Sequence, residues 1–301
     1  MFNLNVNKNI LILHFTVLVW GFTGVLGNLI TIPALQLVWY RVLIAFLALG
    51  IYFLVTKQSI RVTRRQLLQI LGVGVLVGIH WLLFFHAIKI ATVSVALVTL
   101  SSLTLFTSIL EPIINKHKVS KLELGVGLLI ILGIYLIFKF EFQYKWGIIC
   151  GLSCAFFASI FSICNAKMVK NCSPTLITFY EMIGAWIAVS IFMYFMNSYN
   201  SALILSQSNF YYLLILGVVC TAFAYVLGVA VMKELSAFTV ALTTNLEPIY
   251  GIILAMLIFG QQEKMSLGFY LGASIVLGAV FLFPYIKTKL EQRKSKRLDK
   301  A

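Results

Sequence analysis

The stretch Gly72–Phe138, which opens GVGVLVGIHWLLFFHAIKIATVSVALVTLSSLTLF and closes GVGLLIILGIYLIF, returns 145 residues later as Gly217–Phe283 without a gap. Fourteen of the 67 aligned pairs are identical, among them Gly72/Gly217, Val95-Ala96-Leu97/Val240-Ala241-Leu242, Thr99/Thr244, Gly127/Gly272 and Gly133/Gly278. Each copy holds three apolar runs of membrane-crossing length, since a hydrocarbon core of about 30 Å takes roughly 20 apolar residues of helix. The repeat therefore superposes spans three to five on spans eight to ten, as a five-plus-five duplication requires. Spans two and seven align as well, through Pro33 and Pro174, at an offset of 141.

Working outward from the repeat, the apolar runs predict spans at 10–31, 34–55, 67–88, 91–113, 121–138, 146–166, 174–196, 209–231, 237–260 and 266–286. Five is odd, so the second half enters the membrane upside down relative to the first. The expected fold is an all-α integral membrane protein of ten transmembrane helices in two inverted five-helix repeats. The first repeat is set at 1–141, the second at 142–286, and a basic tail at 287–301. The run after Lys8 is read as a first membrane helix, because no small-residue cleavage site follows it.

Composition agrees with this reading. Of the 301 residues 61% are hydrophobic and only 11% charged, with a mean hydropathy of +1.00; soluble domains carry about 25% charged residues to cover a wet surface. A net charge of +14 raises nucleic acid as a partner, but the positions of the charges decide against it. With the N-terminus inside, 18 of the 23 Lys and Arg fall in inner segments, four (Lys89, Lys139, Lys145, Lys264) in outer ones, and Arg41 lies within span two. That is the cytoplasmic excess of a multi-pass protein with both termini in the cytoplasm, here expected of the plasma or inner membrane. The five cysteines show no metal-ligand spacing and read as buried thiols. No phosphate-binding loop is present, so neither ATP nor another cofactor is expected.

Taken together, the residues resemble the drug/metabolite transporter superfamily, in its ten-helix branch with two EamA domains. In the second half the resemblance rests on Asn245-Leu246-Glu247-Pro248, on Phe259-Gly260-Gln261-Gln262-Glu263 and on the Gly272/Gly278 helix. In the first half it rests on Trp20-Gly21, on His80-Trp81, Phe84-Phe85 and Ile88-Lys89. It implies a central cavity lined by spans one to four and six to nine, with five and ten peripheral. The first half departs from the pattern: Leu103 stands opposite Pro248, and Lys118 opposite Glu263. The identical Leu110-Glu111-Pro112-Ile113 and Leu246-Glu247-Pro248-Ile249 lie nine residues out of register with the repeat and are read as coincidence.

Ionisable groups inside spans are costly unless paired or facing water, so each is a site candidate. Glu247 sits mid-span beside Thr244, Asn245 and Pro248, and a proline there removes one backbone donor and predicts a kink with a polar notch. Arg41 and Tyr40 fall in span two, and the repeat sets Tyr40 opposite Glu181 in span seven, so an Arg41–Glu181 pair across the pseudo-twofold is one expectation. Arg41 reaching for an interface is the other. The repeat matches His80 with Tyr225 as cavity-facing groups, with Trp81 beside them, while Trp20, Trp39 and Tyr180 are candidate aromatic walls. Glu247, Glu181 and Arg41 are the candidates for coupling to a proton. The hydroxyls of span four and the glycines of span one are read as packing devices, and Gly268/Gly272 as a weak dimer face. The expected partners are a small-molecule solute, membrane lipid and a second copy of the chain. The function expected is secondary transport of an amino acid, related metabolite or drug-like amphiphile. The competing class is a membrane-embedded lipid-modifying enzyme with His80 as general base, or a lipid flippase.

Overall fold

A computed structural model describes residues 8–116 and 121–298. Lys118, set opposite Glu263 in the sequence reading, lies outside the described residues. All ten predicted spans are helical: Lys8–Leu29, Ala34–Thr56, Arg64–Ile90, Val93–Asn115, Lys121–Phe140, Lys145–Met168, Pro174–Phe195, Gln207–Val231, Ala237–Phe259 and Leu267–Leu298. Eight are long and apolar enough to cross a membrane, and spans five and ten contribute the shorter apolar segments Gly125–Phe140 and Leu267–Ala279. The last helix continues past the expected end of its span, through the basic tail to Leu298.

Three spans are not plain α-helices. Span nine is two helices, Ala237–Thr244 and Leu246–Phe259, parted at Asn245, three residues before Pro248. That is where the missing proline donor should part them. Span four, Val93–Leu100 then Leu103–Asn115, parts at the repeat-equivalent place although it has no proline there. Its break is made by hydroxyls: Ser102 Oγ donates to Thr99 O at 2.7 Å and Thr99 Oγ1 to Val95 O at 2.8 Å. The Ser101 and Ser102 amides reach back only three residues, to Val98 and Thr99. Side chains that compete for carbonyls in this way loosen a helix. The unequal halves expected from Leu103 therefore break alike. Span eight holds a π-helical stretch at Ile215–Phe223, in which Thr221 Oγ1 donates to Leu216 O five residues back at 2.7 Å.

The spans pack as the repeat demands. Spans three and seven cross closely, Gly74 against the backbone of Glu181. Spans five and ten pair with each other at the edge of the bundle, where Gly133 and Gly272 each face the other's carbonyl and a side chain on either would collide with it. The Gly268/Gly272 face expected for a dimer is thus covered within the chain, by Phe140, Ile137 and Gly133. Leucines and isoleucines such as Leu54, Leu257 and Leu267 are exposed on the perimeter, which is where a lipid-facing residue belongs.

Three glutamates, Glu263 and Glu141 buried and Glu111 half-buried, tie helix starts to distant elements. Glu263 accepts from Val93 N and Ser94 N, both at 2.9 Å, and from Ser94 Oγ at 2.7 Å, closing the far end of span nine onto the start of span four. At the opposite end of the bundle Glu111, near the close of span four, accepts from Phe238 N at the start of span nine at 2.9 Å. Glu141 accepts from Ser266 N at 2.8 Å, at the start of span ten. The first amides of a helix have no partners of their own and carry its positive dipole end, so a carboxylate is well placed there. Between the two clasps, Asn245 Nδ2 donates to Thr104 Oγ1 at 2.5 Å, joining the two breaks.

Candidate functional site

Both breaks open onto one central cavity of about 80 Å³. Its polar lining is Thr23, Arg41, His80, Ser162, Asn165, Tyr225, Thr244 and Glu247; its aromatic walls are Trp20, Trp81, Phe84 and Phe161. These residues come from spans one to four, six, eight and nine. Span seven, expected in the lining, contributes no residue to it; its Glu181 lies behind the wall, hydrogen-bonded to the lining residue Asn165. Asn165, Met232, Val240 and Ala241 lie near helix ends on the side that bears both termini, so the cavity runs toward that side. The other side is shut. Lys89 Nζ donates to the Ile30 carbonyl, Thr31 N donates to Asn209 Oδ1 and Asn209 Nδ2 to Thr31 Oγ1, both at 3.0 Å.

Arg41 is 3% exposed and does not reach for an interface. Its Nε donates to Thr221 Oγ1 at 2.6 Å, and its guanidinium lies 4.0 Å over the Trp81 ring and 5.3 Å from Phe85. The π-helical turn is what presents Thr221 to it. The terminal N–H groups of Arg41 have no hydrogen-bond partner among the described residues. Glu247 lies within its electrostatic reach on span nine, yet no described residue hydrogen-bonds to the Glu247 carboxylate. The first residues past the break carry Glu247 into the cavity, while Gly251, one turn on, packs the same helix against Gly21 of span one.

The expected Arg41–Glu181 pair is not formed among the described residues. Arg41 turns to Thr221 and Trp81; Glu181, fully buried, takes a hydrogen bond from Asn165 Nδ2 at 3.4 Å. Asn165 Nδ2 also donates to Tyr225 OH at 3.1 Å. His80 lines the cavity with its Nδ1 donating to Cys154 O at 3.0 Å and 3.1 Å from the Cys154 sulfur. Its ring packs edge-on against Phe161 and stacks on Phe84. His86 is exposed on the perimeter.

Four expected binding residues are engaged elsewhere. Asn245 is held at the break by Thr104 and by Ala241 O at 2.8 Å. Trp39 donates to Ser190 Oγ at 2.8 Å, and Tyr40 to Leu203 O at 2.7 Å, pinning the far-side loop after span seven. Tyr180 donates to Ile60 O at 2.7 Å in the loop between spans two and three. Tyr40 and Tyr180 are amphipathic and sit toward helix ends, where their hydroxyls find loop backbone. Sequence reasoning passed over Thr23, Phe84, Phe161, Ser162 and Asn165. A lone amide in an apolar span, Asn165, was the available signal, by the same logic that picked out Glu181.

Comparison with known proteins follows the same lines. The chain is 23% identical over 289 residues to the uncharacterized transporter YxxF of Bacillus subtilis (strain 168), covering 93% of this chain and 89% of that one. A solved crystal structure 14% identical in sequence shares the fold, with a TM-score of 0.69 over 93% of this chain and 98% of its own. The family model matches twice, at residues 7–139 and 145–284. A multi-pass membrane protein with two such repeats points to transport rather than enzymatic chemistry, and the chain belongs to the EamA-like transporter family.

Proposed function

We propose that the protein is a secondary transporter, an exporter or exchanger of a small organic solute such as an amino acid or related metabolite, working by alternating access. The observation that carries this reading is the pair of unsatisfied charges in the central cavity. Arg41 offers free N–H groups and Glu247 a free carboxylate, with Trp20, Trp81 and Phe161 between and around them. Ionisable groups inside a membrane protein that lack hydrogen-bond partners are expensive, and a solute with an anionic and a cationic group meets both at once. Orientation follows from the Lys and Arg distribution: both termini are cytoplasmic in the plasma or inner membrane, so the cavity faces the cytoplasm. Residues 1–141 and 142–286 are the two repeats that rock about the bound solute. The enzymatic alternative loses its chemistry at His80, whose Nδ1 is bonded to Cys154 O and which has no carboxylate or hydroxyl partner among the described residues.

The test is a thermal-shift screen of detergent-purified protein against amino acids, amphiphilic amines, nucleosides and sugars, repeated with Glu247→Gln. A ligand at a hundredfold excess over its Kd stabilises by about 2.7 kcal/mol. The expected result is a hit among zwitterions that disappears in the variant. A hit of equal size in Glu247→Gln removes Glu247 from the site.

A further inference from the structure

Glu181 and Asn165 leave a defect that one proton repairs. Asn165 Nδ2 donates to Glu181 Oε2 and to Tyr225 OH, so both amide hydrogens are in use. Glu181 Oε1 and Asn165 Oδ1 remain, each buried and without a partner. Two buried acceptors without donors in a membrane interior are costly, the ionised one most of all. A carboxylic acid and a carboxamide, however, are complementary along one edge. The amide N–H donates to the acid carbonyl, and the acid O–H donates to the amide carbonyl, closing an eight-membered ring. One bond of that ring is already present, and the two orphan oxygens are the atoms that the other bond joins. Turning the amide over lets Oδ1 accept from the Tyr225 hydroxyl but sets the same oxygen against Glu181 Oε2, a contact that a proton on the acid converts into a hydrogen bond.

We infer that Glu181 carries a proton, held in an acid–amide ring by Asn165, and that this ring is the proton-binding site through which transport is coupled; the coupling rests on the transporter reading above. The surroundings fit a neutral acid. Span six contributes Asn165 and, as the nearest other titratable group, Cys164. Span eight contributes Tyr225, whose hydroxyl takes a hydrogen bond from Asn165 and lies beside the Glu181 carboxyl, and span three packs Gly74 against the Glu181 backbone. The cation of span two, Arg41, is turned to Thr221 and Trp81, and Glu247 of span nine lies on the cavity side near it. Asn165 and Tyr225 are themselves cavity lining. When the proton leaves Oε1 for cavity water, the ring loses one bond and the two residues that face the solute lose their fixed orientation.

Infrared spectroscopy of purified protein in an ester-free detergent at neutral pH reads this directly. The carbonyl stretch of an un-ionised carboxylic acid is expected in the wild type and in Glu247→Gln, and absent from Glu181→Gln. Glutamine keeps the ring as an amide–amide pair, so the melting temperature of Glu181→Gln should match the wild type. A band missing from the wild type, or surviving in Glu181→Gln, overturns the inference. Should Glu181→Gln fail to fold, Asn165→Leu in the otherwise native chain decides instead. The acid band must then move to higher frequency, and an unmoved band overturns the ring. None of these outcomes bears on solute binding, which stands or falls on the thermal-shift screen.

Discussion

The clasps between spans four and nine and the wall of the central cavity are made from the same side chain in opposite conditions. Glu263 is buried and accepts three hydrogen bonds, all from residues at the start of span four. Glu247, on the same span and equally buried, accepts none from a described residue, and one oxygen of Glu181 is alone. A helix start inside the membrane needs acceptors whatever the protein does, so a carboxylate there improves the fold. A carboxylate aimed into a cavity improves nothing in the resting protein. Groups held inside the bundle without a hydrogen-bond partner are the ones kept for something that arrives and leaves.

The sharpest way to break this comparison is to remove both carboxylates and weigh the loss. Glu263→Ala strands two amides and a hydroxyl at a buried helix start, and should destabilise the protein by about 3 kcal/mol. Glu247→Gln keeps the volume and removes a charge that no described residue hydrogen-bonds, and should cost less than about 1 kcal/mol or stabilise slightly. Thermal unfolding in detergent compares the two. Equal losses would show that Glu247 is a structural group and erase the contrast.

How much of this was legible beforehand depended on range. The repeat and the ten spans were, because apolar length is set by the bilayer and read residue by residue. Pro248 announced its break for the same local reason. Span four's break was hidden because serine and threonine disturb a helix only when their hydroxyls turn back on it, and composition does not say when they will. The caps were hidden for another reason: Glu263 and Ser94 are 169 residues apart, and their meeting is a product of packing. Glu247, Arg41 and His80 could be picked out as polar intruders, but which of them face the cavity was decided by the angle of each helix. The π-helical turn that carries Thr221 to Arg41 had no sequence signal. Trp39, Tyr40 and Tyr180 misled because an aromatic residue near a helix end fits a loop clamp as well as a binding wall.

A second prediction tests the cavity side of the comparison. Arg41→Lys keeps the positive charge but loses the Nε bond to Thr221 and the flat stacking on Trp81. Arginine and lysine are not interchangeable at a stacked, oriented site. Affinity for the solute identified in the screen should fall by about tenfold or more, equivalent to about 1.4 kcal/mol. Unchanged affinity would mean that the cavity needs only a charge, and that the π-helical presentation of Thr221 is incidental.

The smallest expected effect concerns the joint between the two regions. Asn245 bonds to Thr104 across the breaks of spans nine and four, and the clasps of Glu111 and Glu263 lie at either end of the same helix pair. If these contacts make the pair one rigid unit, Thr104→Val and Asn245→Ala should not be additive. A double-mutant cycle on unfolding should return a coupling of about 0.6 kcal/mol, the usual size for an interhelical hydrogen bond in a membrane. Transport in Thr104→Val should survive, because a moving cavity needs a fixed partner but not this one bond. A coupling near zero together with lost transport would reverse the picture, making the joint a hinge that works by breaking and placing it with the cavity groups rather than with the clasps.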